Sequence, residues 1–393
     1  LTIGRNAKIV SNTAVGRQEA YGGAIALLTG DRSSNNLTIG DNAQFVSNTA
    51  SGSFKEYGGA IYAQARSVCT TTITIGRYVQ FVSNTASGSG SAHGGAIYVE
   101  DEIYSSAIHF SISISIGDNA QFVNNSVGFS RSGSGSGSAI SATISGGSSS
   151  STLIIGENGQ FVGNSAAASG TGHVSAISAT ISGYSSSFTL IIGENGQFVS
   201  GGIDASAQGG SSAIHLIIGD NAQFVNNAVS VSGGTHGSAI SATAYGDNSS
   251  FTLIIGDIVH FVSSSFSAEA PGDNSSCTVI IGDDVQFVSS SIGVGTSFVS
   301  ARTQLSIGDN AQFVSSSIGV TANSGSSATQ LSIGDNAQFV SSRISAVANG
   351  GSTAMHLSIG DNAQFVNNSF GIAGNGYGSA ISVTANGDSS SLA

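Results

Sequence analysis

Residues 305–330 read LSIGDNAQFVSSSIGVTANSGSSATQ, and the opening of this stretch returns, with small changes, from one end of the chain to the other. Leu305 and Ile307 alternate with Ser306, the period of a strand with one buried face. Gly308-Asp309-Asn310 is turn chemistry, because Gly and Asn accept positive φ and Asp bonds its own backbone. Phe313 then points inward between Gln312 and Val314, and further turns are expected at Gly319 and near Asn323-Ser324-Gly325. No 3.6-residue period interrupts this, so no helix is expected.

The glycine of the motif stands at positions 4, 40, 76, 117, 156, 193, 219, 256, 282, 308, 334 and 360. Subtraction gives spacings of 36, 36, 41, 39, 37, 26, 37, 26, 26, 26 and 26 residues. A fixed anchor at a fixed minimum spacing marks a stacked repeat, in which no unit buries its apolar face alone. Short strands joined by Gly and Asn corners then predict an all-β chain, a right-handed parallel β-helix of about twelve rungs spanning roughly 58 Å. One continuous solenoid over 1–393 is expected, with 1–255 mostly long rungs and 256–393 mostly minimal ones. The extra residues of long rungs are expected at one corner. Aligning Ser212-Ala213-Ile214 with Ser238-Ala239-Ile240 places them after the second triplet.

Two kinds of core column follow. Ile precedes every motif glycine, and Leu, Ile or Val stands two before it. An aromatic ladder runs Phe45, Phe81, Phe122, Phe161, Phe198, Phe224, Phe261, Phe287, Phe313, Phe339 and Phe365, with Ile9 in the first rung. Cys69 and Cys277 lie about six rungs, roughly 29 Å, apart and so beyond disulfide reach. They read as small core residues.

Composition narrows function. The net charge is −12, and Lys8 and Lys55 are the lysines among ten basic residues, so no basic stripe serves nucleic acid or an anionic membrane. No apolar run is long enough for a membrane span. An acid follows the glycine at Asp41, Asp118, Glu157, Glu194, Asp220, Asp257, Asp283, Asp309, Asp335 and Asp361, with Arg5 and Arg77 in two other rungs. One carboxylate per rung is thin for Ca²⁺, and solvated turn carboxylates are expected. Asn42, Asn119, Asn221, Asn310, Asn336 and Asn362 beside them, and the outward Gln44, Gln121, Gln223 and Gln312, read as amide stacks.

The sharpest surface feature is the outward position between the two core residues of the first strand. It is Thr or Ser at Thr2, Thr38, Thr74, Ser115, Ser306, Ser332 and Ser358, but Ile at Ile154, Ile191, Ile217, Ile254 and Ile280. That draws an apolar contact stripe about 19 Å long. The histidines (His93, His109, His173, His215, His236, His260, His356) follow the repeat rather than converging with carboxylates. No enzyme, cofactor or metal site is expected.

Two motifs stand together: Phe-x-x-Asn at Phe45–Asn48, Phe81–Asn84, Phe122–Asn125, Phe161, Phe224 and Phe365, and Gly-Gly-Ala-Ile at Gly22–Ile25, Gly58–Ile61 and Gly94–Ile97. The pairing resembles the passenger repeats of chlamydial polymorphic membrane proteins and similar bacterial autotransporter adhesins. The likeness is good over residues 1–100 and fades afterwards, to Gly-Ser-Ala-Ile at Gly137 and Gly237 and to F-V-S-S at Phe261, Phe287, Phe313 and Phe339. It implies an extracellular β-helix on a bacterial surface, an adhesin or stalk whose partner is a host-cell or surface ligand. Ser391-Leu392-Ala393 joined to Leu1-Thr2-Ile3-Gly4 nearly restores the repeat, so a segment of a longer product is expected. The alternative is a subunit of an extracellular fibre that self-associates head to tail through uncapped ends.

Overall fold

The computed structural model describes all residues except 31–32, 67–68, 103–110, 130–134, 169–174, 228–237, 298–299, 324–327, 350–353, 369–380, 387–390 and 393. Among the described residues every regular element is a strand, and every strand pairing is parallel. One rung shows the plan. Arg302–Ile307 runs into a turn, Gln312–Val314 follows, and Ser317–Asn323 returns before Ala328–Ile333 opens the next rung. Stacking these three strand types gives three long sheets of 13, 12 and 12 strands. We call them the isoleucine, phenylalanine and return sheets. The molecule is a parallel β-helix.

The corners are set by backbone geometry. The second residue after the motif glycine is left-handed, as at Asn42 (φ 57°) and Asn310 (φ 58°), which Asn tolerates. Ile258 occupies that place at φ 58°, where a β-branched side chain is strained. The motif glycine is required by close approach rather than by its own φ. A Cβ on Gly308 would lie 2.1 Å from Asp283 Oδ1 and 2.7 Å from the Gly282 carbonyl oxygen of the rung beneath.

Inside, residues stack on their counterparts, with a register shift between Ser175 and Ile177 where that return strand meets Gly202–Gln208. Leu305 and Ile307 face Leu331 and Ile333. The return sheet adds a third column through Ile292, Ile318 and Ile344. The phenylalanine rings from Phe45 to Phe365 stack face to face, with centroids 4.7–5.0 Å apart. Those from Phe45 to Phe339 are buried, whereas Phe365 is 36% exposed, because no described strand lies beyond its own in that sheet. Burial of one such ring contributes about 1.5–3 kcal/mol. Cys277 fills a fourth inward column, between Phe251 and Thr303. Both cysteines are buried and not disulfide-linked.

The placement of the extra residues in long rungs needs correction. Ala213–Ile218 belongs to the isoleucine sheet and pairs with Ser250–Ile255, whereas Ile240 lies in the return sheet opposite Ile203. The two Ser-Ala-Ile triplets are therefore not equivalent. The additional residues of that rung precede the return strand instead, at the corner that follows the phenylalanine strand. The longest rung also has eight residues between Ile97–Glu102 and Ser111–Ile116, where its predecessor has three between Ile61–Arg66 and Thr70–Ile75. In the early rungs that corner builds two small sheets of its own, through Thr49–Ser51, Thr85–Ser87 and Ser126–Phe129 and through Lys55–Tyr57 and Ser91–His93. Ser-Ala-Ile fits either strand type, so only the columns distinguish them. The turn expected at Gly319 is likewise absent, since Gly319 lies within the return strand Ser317–Asn323; Ser324 and Gly325 lie outside the described residues.

Candidate contact surface

The isoleucine sheet turns one face to the core and one to solvent. On its outer face Ile154, Ile191, Ile217, Ile254 and Ile280 are direct register partners, one per rung. The column begins above Ser115 and gives way to Ser306. Ile154 is 39% and Ile280 41% exposed, while the middle three are half-buried. A serine neighbour covers less of an end isoleucine than another isoleucine covers of a middle one. Beside the stripe runs a polar column of Thr152, Thr189, His215, Thr252 and Thr278. The five isoleucines are thus one contiguous outward column on the isoleucine sheet.

The acidic column borders the stripe at the following turn, and its aspartates do more than face water. Asp257 Oδ1 accepts the backbone N–H of Asp283 at 2.8 Å, and Asp283 Oδ1 accepts that of Asp309 at 2.8 Å. Asp309 and Asp335 continue the chain to Asp361. Each aspartate from Asp257 to Asp335 therefore caps the next rung's turn with one oxygen. Where Arg replaces the acid the charge is matched across a rung: Arg5 meets Asp41 at 3.0 Å and Arg77 meets Asp118 at 3.2 Å. The outward glutamines bond rung to rung from Gln44 through Gln80, Gln121 and Gln160 to Gln197. Asn310, Asn336 and Asn362 do the same.

The histidines do not converge. His215, His260 and His356 lie on outer faces opposite Thr189, Gln223 and Gln330. His109, His173 and His236 lie outside the described residues. Among the described residues no three His, Cys, Asp or Glu side chains are grouped to hold a metal ion, and no helix is long and apolar enough to cross a membrane.

His93 belongs to a cluster not foreseen from sequence. Tyr57, Tyr62 and Tyr98 form a second apolar nucleus outside the main core, with Tyr21 against it. His93 stacks on Tyr98 with centroids 5.5 Å apart and packs tilted against Tyr57 at 5.4 Å. Burial lowers its pKa to about 4. Glu100 accepts from the Tyr62 hydroxyl at 2.5 Å and from Tyr98 at 3.0 Å. Nearby, buried Asp101 accepts from the Ser145 N–H at 2.6 Å, and burial raises its pKa to about 6. The signal was present in Tyr-Gly-Gly-Ala-Ile-Tyr at 57–62 and His-Gly-Gly-Ala-Ile-Tyr at 93–98, where rings flank the motif at both ends. These rings fasten the early corner sheets to the return sheet and are structural.

Compared with family models, with curated proteins and with solved structures, the chain gives no match in any of the three.

Proposed function

We propose that this chain is a non-enzymatic adhesin or stalk displayed on a bacterial surface, which binds a host-cell or surface ligand along the isoleucine stripe. The outward column Ile154–Ile280 carries the reading: five β-branched apolar side chains in register on one solvent face. An isoleucine sheet whose strands pair in unbroken register holds such a ridge in fixed geometry, which lowers the ordering cost of binding. The repeat motifs that resemble autotransporter passengers support the extracellular setting.

The test is a triple substitution, Ile191→Ser, Ile217→Ser and Ile254→Ser, which copies the serines found at that column in other rungs. Saturable binding of the unaltered chain to cultured epithelial cells, weakened about tenfold or more by the triple change with melting unaltered, is the expected result. Equal binding by both proteins would sink the stripe. Concentration-dependent polymerisation that the triple change abolishes would instead favour a structural fibre subunit, with the stripe as a lateral contact between copies.

A further inference from the structure

A second surface lies at the corner where the return strands of the middle rungs give way to the isoleucine strands. Ser182, Gln208 and Tyr245 form an outward column at the ends of those strands. Two residues beyond Ser182 stands Tyr184, 76% exposed, while Tyr57, Tyr62 and Tyr98 are 0–9% exposed. Its ring lies along Gly210 of the next rung: a Cβ there would sit 3.4 Å from Tyr184 Cδ1. Beside the ring runs an open groove of about 320 Å³, floored by Gly183 and Gly209 and walled by Ser145, Ser182 and Gln208.

The floor is bare because stacking forbids side chains on it. A Cβ on Gly183 would meet the Gly146 carbonyl oxygen at 1.9 Å, and Gly209 holds φ 138°. The walls offer an amide and hydroxyls. Ser145 Oγ donates to Asp101 Oδ1 at 3.2 Å, so its own lone pairs are left to accept. Among the described residues no charged side chain lines the groove. An ionic ligand has no counter-charge here, and the overall charge of −12 opposes an anion. What the groove matches is a neutral ligand with one apolar face and a rim of hydroxyls.

We propose that this corner binds a neutral hexopyranose within a glycan chain, its C–H face on the Tyr184 ring and its hydroxyls on Gln208, Ser145 and Ser182. Tyrosine supplies large contact area at low entropic cost. Tyr245, 47% exposed and two rungs further along the stack, offers a second platform about 10 Å away, within reach of a longer chain. The assignment rests on the adhesive reading and names its ligand class, at a place separate from the isoleucine stripe.

Isothermal titration of the whole protein with maltohexaose, cellohexaose, mannohexaose and N-acetylchitohexaose tests it. Saturable binding of at least one, weakened about tenfold by Tyr184→Ala and retained by Tyr184→Phe, is expected. Tyr245→Ala weakens the hexasaccharide and leaves its disaccharide unaffected. No binding to any of the four, or binding indifferent to Tyr184→Ala, overturns the site. Cell binding separates the two readings. If it survives Tyr184→Ala and fails in the triple isoleucine variant, adhesion stands and the glycan site falls with its own titration. If sugar binds but cells do not, the site stands and the adhesive reading falls.

Discussion

The early rungs and the late rungs solve one buried problem with different side chains. At the corner after the phenylalanine strand, Asn48, Asn84, Asn125 and Asn164 are wholly buried in the early half. Asn84 Oδ1 accepts from both the N–H and the Nδ2 of Asn48, at 3.0 and 2.9 Å, and its own Nδ2 donates to the Phe45 carbonyl at 2.9 Å. In the late half Ser264, Ser290, Ser316 and Ser342 take the same place. Ser316 Oγ accepts the Ser290 N–H at 3.2 Å and donates to the Phe287 carbonyl at 3.0 Å. Asn227 marks the changeover, donating its N–H to Ser264 Oγ at 3.2 Å. Where the column carries a side chain, it supplies an acceptor for the preceding rung's N–H and a donor for a phenylalanine carbonyl, and either residue does both. Gly201, which donates its N–H to Asn227 Oδ1 at 2.8 Å, is the exception between the two halves. The change from F-V-S-N to F-V-S-S is therefore a substitution within one design, not its decay.

That comparison can be broken at several points. Phe261→Ala, near the junction, should cost about 3–5 kcal/mol in urea unfolding, because it removes a ring stacked on both faces. Phe365→Ala, stacked on one face, should cost far less; equal costs would show that rung stacking does not set the scale. Asn125→Ala strands the N–H and Nδ2 of Asn84, which donate to it at 3.0 and 2.9 Å. About 2–3 kcal/mol is expected, against about 1 kcal/mol for Ser316→Ala, which leaves a single donor unpaired. Reversal of that order would refute the equivalence argued above.

Acid response separates the halves further, since the carboxylates Glu56 and Asp101, both raised by burial, and the histidine His93 lie in the early rungs. Asp101 has a folded pKa of about 6 against an ordinary 3.8, so the folded state holds its proton more tightly. Its contribution favours folding below the ordinary value and is lost as pH rises towards 6. His93, lowered from 6.5 to about 4, acts oppositely: its contribution is present above 6.5 and lost as pH falls. Between pH 4 and 6 the two oppose each other. Asp101→Asn should therefore make stability rise more steeply with pH across this window, as melting temperatures from pH 4 to 7 would show. The smallest change expected is a gain. Ile258→Asn relieves a left-handed β-branched residue and should add about 1 kcal/mol; no gain in melting temperature would mean the corner is not strained.

The Ile and Phe columns were legible because a half-buried strand writes period two, and a stacked rung writes fixed spacing. The outward stripe was legible for the same reason: Ile217 stands one residue from the buried Ile218. The asparagine ladder was not. An Asn three residues after Phe reads as a turn residue, and only its neighbour 36 or 41 residues away makes it a buried donor and acceptor. The aspartate caps were hidden likewise, each bond reaching into another rung. Tyr184 has no such signal, because a lone tyrosine among serines and glycines carries no period; its place beside Gly210 of the next rung appears only in the stack.

The rung-to-rung direction of these bonds has a mechanical consequence. The strand ladders, the Asn and Ser columns and the aspartate caps all run along the stacking axis, so tension between the two ends loads them one rung at a time. Such a rod should pay out under force in discrete steps instead of snapping as a block. Each step would free roughly 90 Å of chain in the 26-residue rungs and roughly 120 Å in the 36-residue ones. A tether built this way would lengthen under drag while its remaining coils keep their shape.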